Sequence, residues 1–291
     1  MSVPVSRLSK LKSPYGNWVT DANSKLGVFH VDNQHTFTQA AGYLKHILAS
    51  QSQTVVYYRG QSKLHPTLTP SLYRRSTAQK TKALADERLR AYLLEVKKAR
   101  KVLRYVNEYA WEPLLQHYGI RTRWLDLVDN IWVALWFACY EAKSTGKFGQ
   151  YLHFEPRRGG ATGSYAYVVM VASQGTTLVD AVCPGLFRGP MTETIDLRTA
   201  VPSGFVRPHA QHALLFRRHK GLDHEHIDYS EFVVGVIRVT LSDALSWLGR
   251  GDLVAIHSLF PPPTYDYGFR ELLDGAPPGN ETVGSIHYVG A

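Results

Sequence analysis

The sequence has few cysteines and no long apolar run. Its two cysteines, Cys139 and Cys183, are far apart and lack Cys-x-x-Cys spacing, which argues against a disulfide scaffold or a zinc knuckle. No stretch of about 18 apolar residues occurs, and the apolar segment 130–139 is too short to cross a bilayer. The N-terminus has no apolar core or cleavage site of a signal peptide. These absences predict a cytoplasmic protein with reduced cysteines and no membrane partner.

Acidic residues are also scarce relative to basic ones. The chain has 24 Asp and Glu against 33 Lys and Arg, with a net charge of +9 and a pI near 9.4. This balance favours an anionic partner, which could be a nucleic acid, a nucleotide or an acidic protein. The basic residues are spread along the chain and form no RNP, KH or zinc-finger pattern. The charge therefore leaves the class of partner open.

Hydrophobic periodicity predicts mixed secondary structure in 291 residues that are 44% hydrophobic. Residues 1–35 are poorly periodic and are predicted to form an irregular N-terminal arm. Residues 36–291 are predicted to form one α+β domain with a central mixed or antiparallel sheet and flanking helices. Predicted helices cover residues 36–50, 78–109, 111–118, 131–143 (capped by Asp129 or Asn130) and 241–249, and predicted strands cover residues 54–58, 165–172, 213–216 and 232–240.

The stretch YYRGQS, residues 57–62, places Arg59, Gly60 and Gln61 directly after an apolar run. An arginine guanidinium binds phosphate or ribose oxygens with fixed geometry, and a glycine lets a ligand approach the backbone. The same residues also suit an ordinary turn or a structural ion pair between Arg59 and a buried carboxylate. Arg59 is the first candidate for a residue that holds an anionic ligand.

Three stretches together resemble the FRG domain family of bacterial proteins. They are YYRGQS…LTPSLYRR (57–75), WEPLLQHYGIRTRWLDLVDNIWVALWFA (111–138) and RPHAQHALLF (207–216), and the resemblance covers about residues 36–261. The middle stretch is the most specific, because QHYG, Thr-Arg, Leu-Asp and the alanine-rich helix recur there in one order. The sequence departs from the family pattern at Arg121, Trp124, Leu127 and Val128, which could alter the wall of a pocket.

The order of these segments is also similar, more distantly, to that of the ADP-ribosyltransferases. That resemblance implies a split ADP-ribosyltransferase-like core with NAD as substrate. It implies that Arg59 braces the ribose and phosphates of NAD and that the Gly60 backbone holds the nicotinamide amide. Thr122 matches the Ser/Thr strand of that family, and Gln211 stands where the family has a glutamate that stabilises an oxocarbenium-like centre.

An amide at position 211 brings no negative charge, so a carboxylate elsewhere could serve instead. Asp126 and Glu112 are the candidates, although Asp126 could equally cap the next helix or pair with Arg123, and Glu112 could be a salt-bridge partner. The candidate catalytic set is Arg59, Gln211, Asp126 and Thr122. The candidate NAD-binding set is Gly60, Gln61, His117, Tyr118, Arg123 and His209, in which His117 and Tyr118 could stack on a ring or be core residues.

Three functions are consistent with these residues. The leading hypothesis is an NAD-dependent ADP-ribosyltransferase-like enzyme or NAD glycohydrolase, a bacterial toxin or anti-phage defence effector that modifies nucleic acid or protein. The alternative is a non-catalytic module that binds or senses a nucleotide or nucleic acid. A metal-dependent nuclease is a third possibility because the segment 209–228 is rich in histidine, but HAQH places its two histidines on opposite faces of a strand. No metal is therefore expected.

Overall fold

Alternating apolar residues build a large twisted sheet. The computed structural model describes residues 5–21, 27–52, 54–75, 78–99, 103–159, 163–174, 177–219, 227–249 and 251–290. Within them the main sheet has ten strands in the order β1-β2-β12-β7-β3-β4-β11-β10-β9-β8, and a second sheet has three in the order β13-β6-β5. Neighbours pair antiparallel except β2 with β12 and β13 with β6, which are parallel. The predicted α+β class with a mixed sheet and flanking helices is confirmed.

The strands are β1 (Gly16–Thr20), β2 (Gly27–Val31), β3 (Val55–Gln61), β4 (Leu125–Val128), β5 (Tyr140–Thr145), β6 (Tyr151–Pro156), β7 (Tyr165–Ser173), β8 (Thr177–Leu178), β9 (Leu186–Arg188), β10 (Thr192–Asp196), β11 (Ala213–Arg218), β12 (Val233–Thr240) and β13 (Tyr288–Val289). The α-helices are α1 (Gln34–Ser52), α2 (Gln79–Lys98), α3 (Glu108–His117), α4 (Ile131–Cys139), α5 (Leu197–Ala200), α6 (Val206–Ala210), α7 (Leu241–Leu248), α8 (Ile256–Leu259) and α9 (Tyr267–Gly275). Short 3-10 helices occur at Val5–Lys10, Ser71–Tyr73, Lys147–Gly149, Ser230–Phe232 and Asp252–Val254.

The period of two along each strand divides the core between the two faces of the sheet. Val168 and Met170 of β7 pack in the cluster formed with α1, α4 and α7, whereas Val169 and Val171 pack in the cluster on the opposite face. A third cluster lies where α2, α3 and α9 cover the β10–β11 side of the sheet. The cavity described below lies beside the central strands β3 and β4, next to α3 and α4.

The prediction of an irregular arm is wrong for much of residues 16–31. Both β1 and β2 form there, and β2 pairs with β12 at Phe29↔Ile237 and His30↔Arg238. Val28, Phe29 and Val31 are buried. The partner strand lies some two hundred positions later in the chain, and a local pattern of five residues does not reveal such a pairing.

The predicted helix over 78–109 is also wrong in its extent. The structure has α2 ending at Lys98 and α3 beginning at Glu108. Leu103 and Val106 are buried, but they lie in a turn closed by a 2.9 Å hydrogen bond from Val106 N to Leu103 O. Apolar residues that pack from a turn imitate the spacing of a helix.

The buried helix predicted after residue 130 is present but shorter than expected. Asn130 caps α4, since its side-chain oxygen accepts hydrogen bonds from Trp132 N (2.9 Å) and Val133 N (3.3 Å). The helix ends at Cys139, and the chain passes directly into β5 at Tyr140, which pairs with β6. In the part of the chain that the structure describes, no helix combines the length and the apolar character needed to cross a membrane.

Candidate functional site

A cavity of about 250 Å³ opens where β3 and β4 end beside α3 and α4. Five residues singled out in the sequence line it together, although they come from distant segments: Arg59, Gly60, His117, Asp126 and Gln211. The rest of the wall consists of Tyr58, Gln116, Leu127, Val128, Phe137, Phe154 and Phe260. The inner surface therefore combines aromatic and apolar side chains with polar groups that face one space, as in many small-molecule sites.

Arg59 brings a positive charge to this cavity. It lies within β3, and its Nη1 donates a 2.6 Å hydrogen bond to the backbone carbonyl of Asp126. Its Nε is buried and has no hydrogen-bond partner among the described residues. Burial, together with the nearby Arg74, lowers the pKa of Arg59 to about 10, against the opposing effect of Asp126. The guanidinium therefore stays charged at neutral pH and keeps a donor available for a ligand.

Asp126 supplies the single carboxylate among the described residues that line the cavity. It lies in β4, which pairs with β3 and β11. Its Oδ1 is buried and finds no hydrogen-bond partner within the described segments. A buried acceptor left unsatisfied costs free energy, and such groups in native structures commonly face a ligand, water or an ion. Neither alternative considered from the sequence applies, because Asn130 caps α4 and Arg123 pairs with Glu112.

Thr122 acts on the cavity through Gln116. Thr122 is fully buried, and its hydroxyl donates a short hydrogen bond to Gln116 Oε1 while accepting one of 3.2 Å from Trp124 N. The amide nitrogen of Gln116 is the atom left over, and it has no partner among the described residues. Thr122 itself does not line the cavity. Thr122 therefore orients the Gln116 side chain and does not face a ligand itself. Gln116 is a further residue of the site, which the sequence analysis did not select although it belongs to the QHYG motif.

His117 presents a neutral imidazole to the cavity. Burial and then the charge of Arg207 lower its pKa to about 4, with Asp126 acting in the opposite direction. Its Nε2 is buried and unpartnered in the described structure, and its backbone carbonyl accepts a 3.1 Å hydrogen bond from Arg207 Nη1. At neutral pH the ring can therefore offer one acceptor nitrogen and one donor nitrogen.

The side chain of Gln211 lines the cavity and is fixed by a hydrogen bond. Its Nε2 donates a 2.7 Å hydrogen bond to the carbonyl oxygen of Leu259, and that acceptor identifies the nitrogen end of the amide. Its backbone nitrogen bonds to Arg207 O at 3.0 Å, and the next residue, His212, has a left-handed φ of 52°. Gln211 is 3% exposed. Its amide oxygen and the second N–H of Nε2 are not used in this bond.

Four of the six predicted ligand-binding residues do not line the cavity: Gln61, which lines the adjoining cleft described below, and Tyr118, Arg123 and His209. Tyr118 is a core residue whose hydroxyl donates to Asp266 Oδ2 at 2.7 Å and whose ring stacks on Phe269. Arg123 forms an ion pair with Glu112, and the two line a separate cavity of about 520 Å³. Glu112 is therefore a salt-bridge partner, the alternative considered for it. His209 lies in α6 and is not part of the cavity wall.

Gly60 has a structural reason to be glycine. A Cβ atom at this position would lie 1.8 Å from Ala134 O and 2.7 Å from Ala138 N of α4. Gly60, Ala134 and Ala138 therefore allow β3 and α4 to approach closely, and this contact forms one wall of the cavity. Leu127 and Val128, two positions that depart from the FRG pattern, also form part of the wall.

A wider cleft of about 730 Å³ adjoins the cavity and shares Arg59, Gly60 and Phe137 with it. Its other lining residues are Gln61, Ser62, His65, Pro66, Thr67, Leu68, Thr69, Arg74 and Ala142. This set includes no carboxylate. Burial, followed by Lys63, Arg74 and Arg59, lowers the pKa of His65. The outer cleft therefore has a positive potential suited to phosphate groups.

The described part of the chain contains no cluster of His, Cys, Asp and Glu that could hold a metal. His212 Nδ1 lies 3.0 Å from Asp129 Oδ1, and Asp129 also pairs with Arg198. His224 and His226 of the histidine-rich segment fall outside the described residues.

The neutral histidines make stability depend on pH. Burial lowers the pKa values of both His117 and His287 from 6.5 to about 4. Between these two pKa values the unfolded chain binds more protons than the folded chain. The contribution of the two histidines to the free energy of unfolding is therefore fully present above about pH 6.5 and is lost as the pH falls toward 4. We expect His287→Asn to flatten this slope in urea unfolding at a series of pH values. The exposed His46→Asn is the control, and equal slopes for wild type and His287→Asn would contradict the prediction.

No curated protein and no solved structure matches this chain. A family model described as the FRG domain matches residues 54–147, a shorter range than the 36–261 expected from the sequence. This range contains β3 through β5, whereas Gln211 and Phe260 lie outside it. The segment that brings Arg59, Gln116, His117 and Asp126 to the cavity therefore matches the FRG domain family.

Proposed function

We propose that the cavity and the outer cleft bind NAD and that the protein is an ADP-ribosyltransferase-like enzyme. One observation carries the proposal: four buried polar atoms without partners among the described residues belong to side chains that surround a single aromatic cavity. These atoms are Arg59 Nε, Gln116 Nε2, His117 Nε2 and Asp126 Oδ1. Donors and one anionic acceptor in a preformed site suit a polar ligand that develops positive charge during reaction.

The two spaces match the two ends of NAD. The inner cavity has aromatic walls for the flat nicotinamide ring and amide donors for its carboxamide. The outer cleft is larger and basic, and Arg59 stands between the two spaces, where the pyrophosphate would pass. Arg59 and Arg74 are the cations available to these phosphates.

Asp126 is the residue that we expect to stabilise the transition state. The bond between ribose C1′ and the nicotinamide nitrogen breaks, and its electron pair leaves on nicotinamide, which becomes neutral. Positive charge then builds on the ribose and is stabilised by a nearby carboxylate in a site of low dielectric. An acceptor hydroxyl or amine, or water, forms the new bond to C1′, and its proton passes to Asp126. The acceptor in this proposal is a nucleic acid or a protein, as expected of a toxin or defence effector.

Calorimetric titration with NAD tests the binding step. Arg59→Ala should weaken binding by about 10- to 150-fold, because hydrogen bonds to charged groups contribute about 1.5–3 kcal/mol. Arg104→Ala removes an exposed cation elsewhere and is the matched control. Absence of NAD binding by the wild type would overturn the proposal.

The amide of Gln211 favours a second candidate, because this side chain, held by its hydrogen bond to Leu259, brings no charge to a position where the ADP-ribosyltransferase resemblance implies a carboxylate. In that case the same cleft binds a nucleotide without turnover. Binding of NAD with no release of nicotinamide would select this sensing module over the enzyme.

A further inference from the structure

A second basic pocket continues the outer cleft. It has a volume of about 680 Å³ and contains Arg75, Arg121, Lys147, Phe148 and Glu281 in its wall. The outer cleft and this pocket are bordered by the same two segments, residues 67–75 and strand β5. Arg74 lines the outer cleft, and the next residue, Arg75, lines the second pocket. A basic path therefore leads away from the mouth of the cavity.

Cations outnumber carboxylates along this path, where Glu281 is the single acidic residue among the described residues of the two walls. No carboxylate among the described residues forms an ion pair with Arg74, Arg75, Arg121 or Lys147. Arg121 Nη1 instead donates to the backbone carbonyls of Glu281 (2.7 Å) and Thr282 (3.3 Å), which fix its position. Burial and then the nearby Arg75 lower the pKa of Arg121, as expected for like charges held close together.

Phe148 adds an aromatic surface to the same pocket. It has a left-handed backbone (φ 58°) in a turn between Gly146 and Gly149, which both have φ 78°. Lys147 Nζ lies 5.2 Å from the centre of its ring. An aromatic face beside cations is the combination by which single-stranded nucleic acids are bound, because bases stack while phosphates pair with the charges.

We propose that the acceptor for the transferred ADP-ribose is a single-stranded nucleic acid that lies along Arg75, Arg121 and Lys147, here called the basic track, while Arg74 in the outer cleft binds the phosphates of NAD. This inference rests on the proposed function for its chemistry. A nucleotide of the strand reaches the mouth of the cavity and supplies a hydroxyl or amino group, which bonds to ribose C1′ as nicotinamide leaves, and its proton passes to Asp126. An unpaired strand fits because stacking on Phe148 requires a base outside a duplex, and an unpaired nucleotide can extend toward the mouth of the cavity.

Fluorescence anisotropy with a labelled single-stranded RNA of about 12 nucleotides, and with DNA of the same sequence, tests the track. Arg75→Glu with Lys147→Glu should weaken binding at least about tenfold at about 0.1 M salt. It should also reduce the slope of log K against log salt by roughly 0.7 for each lost phosphate contact. Arg104→Glu with Arg270→Glu makes the same change in net charge at exposed sites elsewhere and should have little effect.

The outcomes separate this inference from the proposed function. Equal losses in the two double variants, or no binding of either strand by the wild type, would overturn the track. Labelling of a protein but not of the oligonucleotide from labelled NAD would also overturn it, while the proposed activity would stand. Oligonucleotide binding that depends on Arg75 and Lys147, without any NAD binding in calorimetry, would support the track and refute the proposed activity.

Discussion

Replacing Asp126 with asparagine is expected to slow the release of nicotinamide from NAD by about 10²–10³-fold and to leave NAD affinity nearly unchanged. Asparagine keeps the size of the side chain, and the hydrogen bond from Arg59 goes to the backbone carbonyl, which the substitution retains. Only the negative charge near the ribose is lost, and this charge acts mainly in the transition state. Single-turnover assays of nicotinamide release, with calorimetry for affinity, measure the two effects separately.

Two further variants sharpen this test. Asp274→Asn changes an exposed carboxylate of α9 that does not line the cavity and should have wild-type activity. Gln211→Glu should give no gain, because a carboxylate cannot donate to the Leu259 carbonyl as Gln211 Nε2 does. A faster Gln211→Glu enzyme together with an unaffected Asp126→Asn enzyme would show that position 211, and not position 126, provides the charge.

Replacing Gly60 with alanine is expected to lower the free energy of unfolding by at least about 3 kcal/mol, at or beyond the upper end of typical overpacking. The added Cβ would lie 1.8 Å from Ala134 O, so β3 and α4 would have to move apart. Backbone atoms on both sides leave no flexible side chain that could yield. Urea unfolding followed by circular dichroism measures the change.

Gly42→Ala is the matched control. Gly42 lies exposed in α1, and a Cβ there would meet no atom within 4 Å. Alanine should stabilise the helix by about 0.5–1 kcal/mol, because glycine loses more conformational freedom on folding. Opposite signs for the two substitutions are the expected result, and a Gly60→Ala protein as stable as the wild type would refute the packing argument.

Local periodicity was sufficient for elements whose burial follows one regular pattern. The helix at α1 and the strands β7, β11 and β12 lie close to their predicted positions. The pattern failed at β1 and β2, where a partner strand distant in sequence decides the structure. It failed also between α2 and α3, where buried residues of a turn continue the helical spacing. Contacts remote in the chain limited the fold prediction in each case.

The candidate site was predicted in part. The motifs around Arg59, His117, Asp126 and Gln211 pointed to residues that do line one cavity. Sequence alone could not show that Arg123 pairs with Glu112, since this depends on how α3 lies against the following turn.

The aromatic walls were missed as well. Phe154 and Phe260 come from segments with no recognisable motif, and only their packing brings them to the cavity. The positions of these two side chains depend on contacts in the folded protein, which neither the spacing of residues nor the composition of the sequence reveals.

The strand β13 lies beside the turn that contributes to the basic track. It pairs with β6, Tyr288 N bonds to Gln150 O at 2.6 Å, and Ser285 Oγ donates to Phe148 O at 3.5 Å. These contacts hold β13 beside the turn that contains Lys147 and Phe148. A fluorophore attached to β13 would lie next to this turn and could report the arrival of an oligonucleotide, whereas a bulky group there would obstruct the same approach.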